Sequence, residues 1–135
     1  HHAGLIGPQV RERLLQGLAC PAPVYLSALD ARAERSARFQ DKVLADIDVL
    51  LLPVSPSRAP LRGAYADMDD VGDILKLNAR VAAYTGGFNY LDVPVLSMPA
   101  TPSAQRNTIG VQIVARNGHD EVVLDAGRII ERLLG

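Results

Sequence analysis

The chain has 135 residues, enough for one domain, and its composition of 48% hydrophobic and 21% charged residues is typical of a globular protein. Its 14 basic and 15 acidic residues leave a net charge of −1, so no overall field attracts nucleic acid or an anionic membrane. We therefore expect neither kind of partner.

The lack of a targeting signal and the single cysteine bear on the cellular compartment that we expect for this protein. No apolar run approaches the roughly 18 residues that a membrane span needs, and the chain does not open with the pattern of a signal peptide. A single cysteine, Cys20, cannot form an internal disulfide and favours a reducing environment. We expect a soluble, cytoplasmic protein in which Cys20 is a small buried apolar side chain.

Two helices are predicted in the first third of the chain. Residues 1–8 are expected to be a start segment or linker, without a chemical role. The spacing of apolar residues then predicts a helix over residues 9–19 and a longer, charged helix over residues 24–46, with a Cys-Pro-Ala-Pro break between them.

A strand and a long loop follow these helices. Residues 48–52 form a continuous apolar run, which predicts a strand buried on both faces at the centre of a sheet. Residues 53–69 contain three prolines and a glycine with little periodicity, which predicts a long surface loop. Loops in this position often carry function.

The next helix leads into a loop and a strand. Its apolar face begins at Val71, with Asp69 or Asp70 as its cap, and it is expected to stop at Gly86 and Gly87. Asn78 lies on this apolar face and is interpreted as a buried amide that satisfies a loop.

The remaining pattern predicts two strands and a closing helix. Residues 89–94 are interpreted as a loop, fixed by its asparagine, that leads into a strand over residues 93–98. A further strand is predicted over residues 108–116, where Gly110 indicates a bulge or a close backbone approach. Acidic residues at 120 and 121 then start a strongly amphipathic helix.

Motifs for independent catalysis are absent from this sequence. It contains no phosphate-binding glycine loop, no Gly-x-Ser-x-Gly elbow and no His-Glu-x-x-His pair. His119 precedes a helix and is interpreted as a surface loop residue. The acidic cluster at 67–73 suits a helix start better than a metal site, so we assign no metal ligand, cofactor or catalytic residue.

Three phrases occur in a fixed order along the chain. Residues 47–60 read Ile-Asp-Val-Leu-Leu-Leu-Pro-Val-Ser-Pro-Ser-Arg-Ala-Pro, residues 89–99 read Asn-Tyr-Leu-Asp-Val-Pro-Val-Leu-Ser-Met-Pro, and residues 109–115 read Ile-Gly-Val-Gln-Ile-Val-Ala. Together they resemble successive segments of the amidase signature family. The resemblance implies an α/β fold in which residues 9–135 form the C-terminal part of an amidase-type mixed sheet flanked by helices.

The resemblance also implies a function for the parent protein. Amidases of this family cleave carbonyl–nitrogen bonds with a serine nucleophile, a second serine in a cis peptide and a lysine base. No phrase of this chain matches that machinery, so the segment is expected to supply sheet and pocket wall for hydrolysis of a small linear amide. The missing N-terminal half would then be its main partner, and exposed apolar surface would promote self-association.

One candidate substrate-binding residue comes from the resemblance. Residues 10–17, Val-Arg-Glu-Arg-Leu-Leu-Gln-Gly, resemble a family helix whose arginine holds a substrate carboxylate in some members. The corresponding residue here is Arg13. A guanidinium suits that task because it pairs bidentately with a carboxylate, although an ordinary surface arginine is the competing interpretation.

The subfamily stays open between several alternatives. The glutamine-dependent tRNA transamidases carry an acidic residue seven positions before the asparagine, where this chain has Ala82. Residues 84–92 resemble a stretch of allophanate hydrolases, whereas Pro94 and the Gly-Val-Gln strand at residues 110–112 resemble the corresponding segments of general amidases. Asp92 replaces the usual glycine of this phrase. A non-catalytic α/β interaction module is the alternative from a different functional class.

Overall fold

The computed structural model describes residues 3–65, 68, 70–101 and 109–134. Its helices are α1 (Pro8–Leu18), α2 (Ala22–Lys42), α3 (Val71–Val81), α4 (Gly86–Leu91) and α5 (Asp120–Leu134), and its strands are β1 (Leu50–Pro53), β2 (Val95–Pro99) and β3 (Gly110–Val114). Short 3₁₀ helices occupy Ala3–Leu5 and Arg62–Tyr65. The predicted α/β class is confirmed. No helix in the described ranges is long and apolar enough to cross a membrane.

The three strands form one sheet in the order β1-β3-β2. Both pairings are antiparallel, and Ile113 of β3 lies opposite Leu51 on one side and Leu96 on the other. No parallel pair occurs among the described strands. Since β3 has a neighbour on each side, the strand at the centre of this sheet is the last one in the chain.

The prediction of a central, fully buried strand over residues 48–52 is wrong. β1 starts two residues later and lies at an edge, with alternating half-buried and exposed residues. Leu51 remains 51% exposed although it pairs with buried Ile113. An apolar run shows that a strand could be buried. Whether it is buried depends on how many other elements pack against it.

The core lies between β3 and α5. Ile113 and Ala115 are fully buried and contact Val123 of α5, while Leu96 packs against the edge of this cluster. Gly127 faces the same sheet, and a β-carbon there would overlap the Leu96 side chain. Because Gly127 has no side chain, α5 can lie close to the sheet. Its predicted apolar face then packs against β2 and β3.

The region around the two glycines differs from the prediction. α3 ends at Val81 and a turn covers residues 82–85, but a further helix, α4, begins at Gly86 where we expected helix to stop. Asn89 is therefore an exposed residue inside α4 and not a loop-fixing side chain.

Contacts from α2 explain why a glycine-rich segment is helical. The Arg32 Nε donates a hydrogen bond to the Tyr90 carbonyl and the Ser36 hydroxyl donates one to the Leu91 carbonyl, each at 2.7 Å. The rings of Phe39 and Phe88 meet edge-on, with centroids 6.0 Å apart. These bonds satisfy carbonyls at the C-terminal end of α4 that have no partner within the helix, so packing outweighs low helix propensity.

Two of three local predictions, for the α3 cap, Asn78 and Cys20, agree with the structure. Asp70 caps α3, accepting hydrogen bonds from the backbone N–H groups of residues 72 and 73, whereas Asp69 lies outside the described residues. Asn78 is half-buried and accepts a bond from the Tyr65 hydroxyl at 3.1 Å, which agrees with its predicted role beside a loop. Cys20 is exposed, so its predicted burial is wrong, because it follows α1 on a side that no described element covers.

Candidate functional site

A groove of about 530 Å³ lies beyond the C-terminal end of β1. We call it the loop groove because most of one wall is the predicted functional loop. Its lining residues are Pro53, Val54, Ser55, Pro56, Ser57, Arg58, Ala59, Pro60, Val81, Tyr84, Ile109 and Gly110. The opposite wall is formed by the end of α3 and the turn that follows it.

Strand β3 anchors the base of the loop through Gly110. The Val54 N–H donates to the Gly110 carbonyl at 2.9 Å and extends the strand ladder by one bond. A β-carbon on Gly110 would lie 2.9 Å from Val54 Cγ2, closer than real β-carbons come to neighbouring atoms. The predicted close approach at this glycine is thus confirmed, and it seats the loop directly on the sheet.

Gln112, two residues further along β3, links both walls of the loop groove. Its side chain is buried, with the residue only 1% exposed, and its Nε2 donates to the Pro53 carbonyl at 3.1 Å and the Tyr84 carbonyl at 2.9 Å. An amide nitrogen carries two N–H donors, and both are used here. Sequence reasoning assigned Gln112 no role of its own. The available signal was a polar residue between buried neighbours in an otherwise apolar strand.

The loop groove has the character of a binding surface. Proline, valine, isoleucine and alanine residues make most of the lining apolar, while Ser55, Ser57 and Arg58 add polar groups. The Ser55 hydroxyl accepts a bond from the Ser57 N–H at 3.4 Å. Within the described part of the chain, no histidine or lysine hydrogen-bonds to either serine.

Arg13 lies in a different groove, of about 450 Å³, between α1 and α3. Its lining residues are Arg13, Gln16, Gly72, Leu75, Lys76 and Ala79. The Lys76 ammonium is 2.8 Å from Asp73 Oδ1, and that hydrogen bond and charge raise the pKa of Lys76 above its ordinary value. Lys76 is therefore charged at neutral pH, and Arg13 has no carboxylate within salt-bridge distance in the described residues. We call this the α1–α3 groove, and it shares no lining residue with the loop groove.

Comparison with known proteins assigns the family. The model of the family described as Amidase matches residues 2–124, which is most of the chain. The chain belongs to the amidase family. Relatives include a Glutamyl-tRNA(Gln) amidotransferase subunit of Campylobacter curvus, which is 28% identical over 95% of this chain, and a Mycobacterium bovis protein named amidase AmiD, which is 30% identical over 96%.

Solved structures share the fold of this amidase-family chain. A crystal structure titled as an amidase superimposes on 99% of the chain with a TM-score of 0.77 and 33% identity. A 6-aminohexanoate cyclic dimer hydrolase also reaches a TM-score of 0.77, at 21% identity, which shows the likeness of fold alone. The chain spans 26 to 28% of the length of the two curated relatives named above, and about 30% of these structures.

The other candidate side chains of this amidase-family chain lie at the surface. His119 is exposed, and its Nδ1 is 3.3 Å from Glu121 Oε1, in agreement with the predicted loop position. Ala82 is exposed just after α3, and the nearby Tyr84 faces the loop groove. The structure therefore brings together the loop and the turn after α3, but it does not bring Arg13 to the same groove.

Proposed function

We propose that this chain is the C-terminal part of an amidase that hydrolyses the carbonyl–nitrogen bond of a small linear amide. The observation that carries the proposal is the match of residues 2–124 to the amidase family model. In this proposal residues 9–135 form an incomplete catalytic domain, and residues 1–8 are a start segment or linker. The nucleophilic serine, the second serine and the lysine base lie outside this chain, which contributes sheet and pocket wall.

The accessible surface supports an incomplete domain. The chain exposes 10132 Å², whereas a compact monomer of its 14.5 kDa mass exposes about 6,900 Å². Much of the excess is apolar: Leu18 is 83% exposed and Val10, Leu14 and Leu15 of α1 are each at least 50% exposed. Apolar surface on this scale is typical of an interface, and the remainder of a catalytic domain is the occupant that we propose.

Arg13 is proposed to hold a carboxylate of the substrate in the α1–α3 groove. Its guanidinium is exposed to the groove, and Lys76 adds a second cation whose charge is offset by Asp73. For a carboxylate-bearing amide, Arg13→Lys should raise KM about tenfold because the bidentate geometry is lost. KM for a neutral amide should not change, and Arg11→Lys on the same helix serves as a control. An equal effect on both substrates would contradict this role.

The test of the proposed activity uses the full-length polypeptide that contains this segment. We expect it to release ammonia from small linear amides and to be labelled by a serine-directed reagent. A full-length protein that lacks upstream Lys and Ser-Ser elements, or that has them and remains inert toward an amide panel and the reagent, would support the non-catalytic interaction module instead.

A role within a glutamine-dependent tRNA transamidase is the second candidate function, because the Campylobacter curvus relative carries an amidotransferase name at 28% identity. Ala82, at a position where the resemblance implies an acidic residue in such enzymes, is evidence against it. Purification of the protein from its native host distinguishes the two. A transamidase component should co-purify with its partner proteins and depend on glutamine, whereas the proposed amidase should act alone on small amides. The single cysteine supports our further proposal of a cytoplasmic location, because a chain with one cysteine cannot form an internal disulfide.

A further inference from the structure

We propose that Gln112 is a positioning residue that sets the width of the loop groove, and that this groove receives the apolar group of the amide substrate. The inference rests on the proposed amidase function. It goes beyond that function in two ways. It names a residue that determines substrate specificity, and it names the chemical class of the substrate group that the groove selects.

The hydrogen bonds of Gln112 connect two segments that are distant in sequence. Pro53 is the last residue of β1 and begins the loop wall, and Tyr84 lies in the turn after α3 on the other wall. Gln112 donates to both carbonyls from between them. In the described part of the chain, no other side-chain hydrogen bond joins these two walls. Gln112 is therefore the side chain whose hydrogen bonds fix the spacing of the two walls.

Because the Gln112 side chain is buried, its two hydrogen bonds are hard to replace. Gln112 is 1% exposed, so water cannot easily replace its N–H donors if they are removed. Each carbonyl would then lose its side-chain donor, and because Pro53 and Tyr84 are exposed residues, the loop or the turn can shift so that water takes the place of that donor.

The lining indicates which substrate group the groove accepts. Its lining residues are mainly aliphatic, with Tyr84 on one wall, and the polar loop residues are Ser55, Ser57 and Arg58. This pattern suits an alkyl or aryl substituent whose burial supplies binding energy, with a polar end near the loop. A substrate as small as acetamide has no such substituent and should be insensitive to the groove.

The first experiment replaces Gln112 by methionine in the full-length protein. Methionine is similar in length but has no donors. We expect KM for hexanamide to rise about tenfold while kcat for hexanamide and both constants for acetamide stay within about twofold. Val114→Ala is the matched control, since Val114 is buried on the same strand and face but its side chain makes no hydrogen bond to either wall of the groove.

The outcomes separate positioning from general stability. Both variants are expected to have a lower thermal midpoint of unfolding. The inference is supported if the ratio of KM for hexanamide to KM for acetamide changes only in Gln112→Met. An unchanged ratio, or an equal change in Val114→Ala, overturns it. If the wild type hydrolyses neither these amides nor the wider amide panel, and the serine-directed reagent does not label it, the proposed function fails. Calorimetric binding of hexanamide then tests the groove directly, and an absence of binding to the wild type would overturn the inference as well.

A second variant, Gln112→Glu, tests the donated hydrogen bonds themselves. A carboxylate keeps the side-chain length but cannot donate to the two carbonyls, whereas its protonated form donates to one. We expect KM of this variant for hexanamide to approach the wild-type value as pH falls, with the acetamide constants following the wild-type pH profile. Identical pH profiles of the KM ratio in variant and wild type would show that donation does not set the groove.

Discussion

At Asp92 the chain adopts a backbone conformation that ordinary residues avoid. Its φ of 60° and ψ of 42° are left-handed, and the residue ends α4 at the position where the family phrase has glycine. A side chain here is costly, although aspartate tolerates the region better than most residues do. The exposed ion pair between the Arg32 Nη2 and the Asp92 Oδ1, at 3.2 Å, offsets only part of that cost.

The Asp92→Gly variant should therefore be more stable than the wild type, by about 0.5–1 kcal/mol, since glycine adopts this conformation without strain. Asp92→Ala is the control, because it removes the ion pair but keeps the β-carbon, and it should be less stable than the wild type. Urea unfolding of the three proteins measures the difference. A glycine variant less stable than the wild type would show that the Arg32 contact outweighs the relief of backbone strain.

At the scale of elements, Arg116 connects the end of β3 to the end of α2. Its Nη1 donates to the Leu44 carbonyl at 3.0 Å and to the Gln40 carbonyl at 3.4 Å, and Nη2 lies 3.9 Å from Asp41 Oδ1. Cationic donors at a helix C-terminus satisfy carbonyls that have no partner in the helix and interact favourably with its dipole. Leu44, 1% exposed, is buried beside this contact.

Loss of this connection should destabilise the docking of α2. We expect Arg116→Met to lower the free energy of unfolding by about 1–2 kcal/mol, discounted for the partial exposure of the side chain, and Arg116→Lys to lose less because the charge remains. Denaturant unfolding together with limited proteolysis measures both effects. Equal stability of the methionine variant and the wild type, with no new cleavage near residues 43–49, would contradict a docking role.

The local sequence pattern predicted helices α3 and α5 well, but it predicted α2 and α4 less well. α5 and α3 follow their predicted apolar faces because each has a cap or acidic first turn and a periodic stripe. α2 ends at Lys42, four residues before the predicted boundary, and α4 was missed because glycines at 86 and 87 signal a helix end. The contacts that stabilise α4 come from α2, more than 50 residues earlier, and no local pattern contains them.

At the scale of the whole molecule, the small core and large apolar surface have a measurable consequence. Among the described residues, five hydrophobic side chains are buried, namely Leu44, Ile113, Val114, Ala115 and Val123. The edges of the sheet at β1 and β2 lack a second neighbour in the described part of the chain. Exposed strand edges and apolar helix faces both promote association.

We therefore predict that residues 9–135 produced alone self-associate and bind a hydrophobic dye, while the full-length protein binds little dye at the same concentration. Sedimentation velocity and dye fluorescence measure the two properties. The double variant Leu14→Lys and Leu18→Lys on the exposed face of α1 should reduce association of the isolated segment. A compact monomer of the segment with little dye binding would contradict both this prediction and the proposed incomplete domain.

The sequence by itself determined the α/β class, the order of most elements, the close approach at Gly110 and the resemblance to amidases, because periodicity, turn residues and short phrases are local properties. Only the tertiary structure decided that β3 is central, that α4 exists, that Cys20 is exposed and that Gln112 joins two walls of a groove. Each of these depends on which distant segments pack together. Burial and hydrogen-bond partners are properties of that packing, and a single stretch of sequence does not specify them.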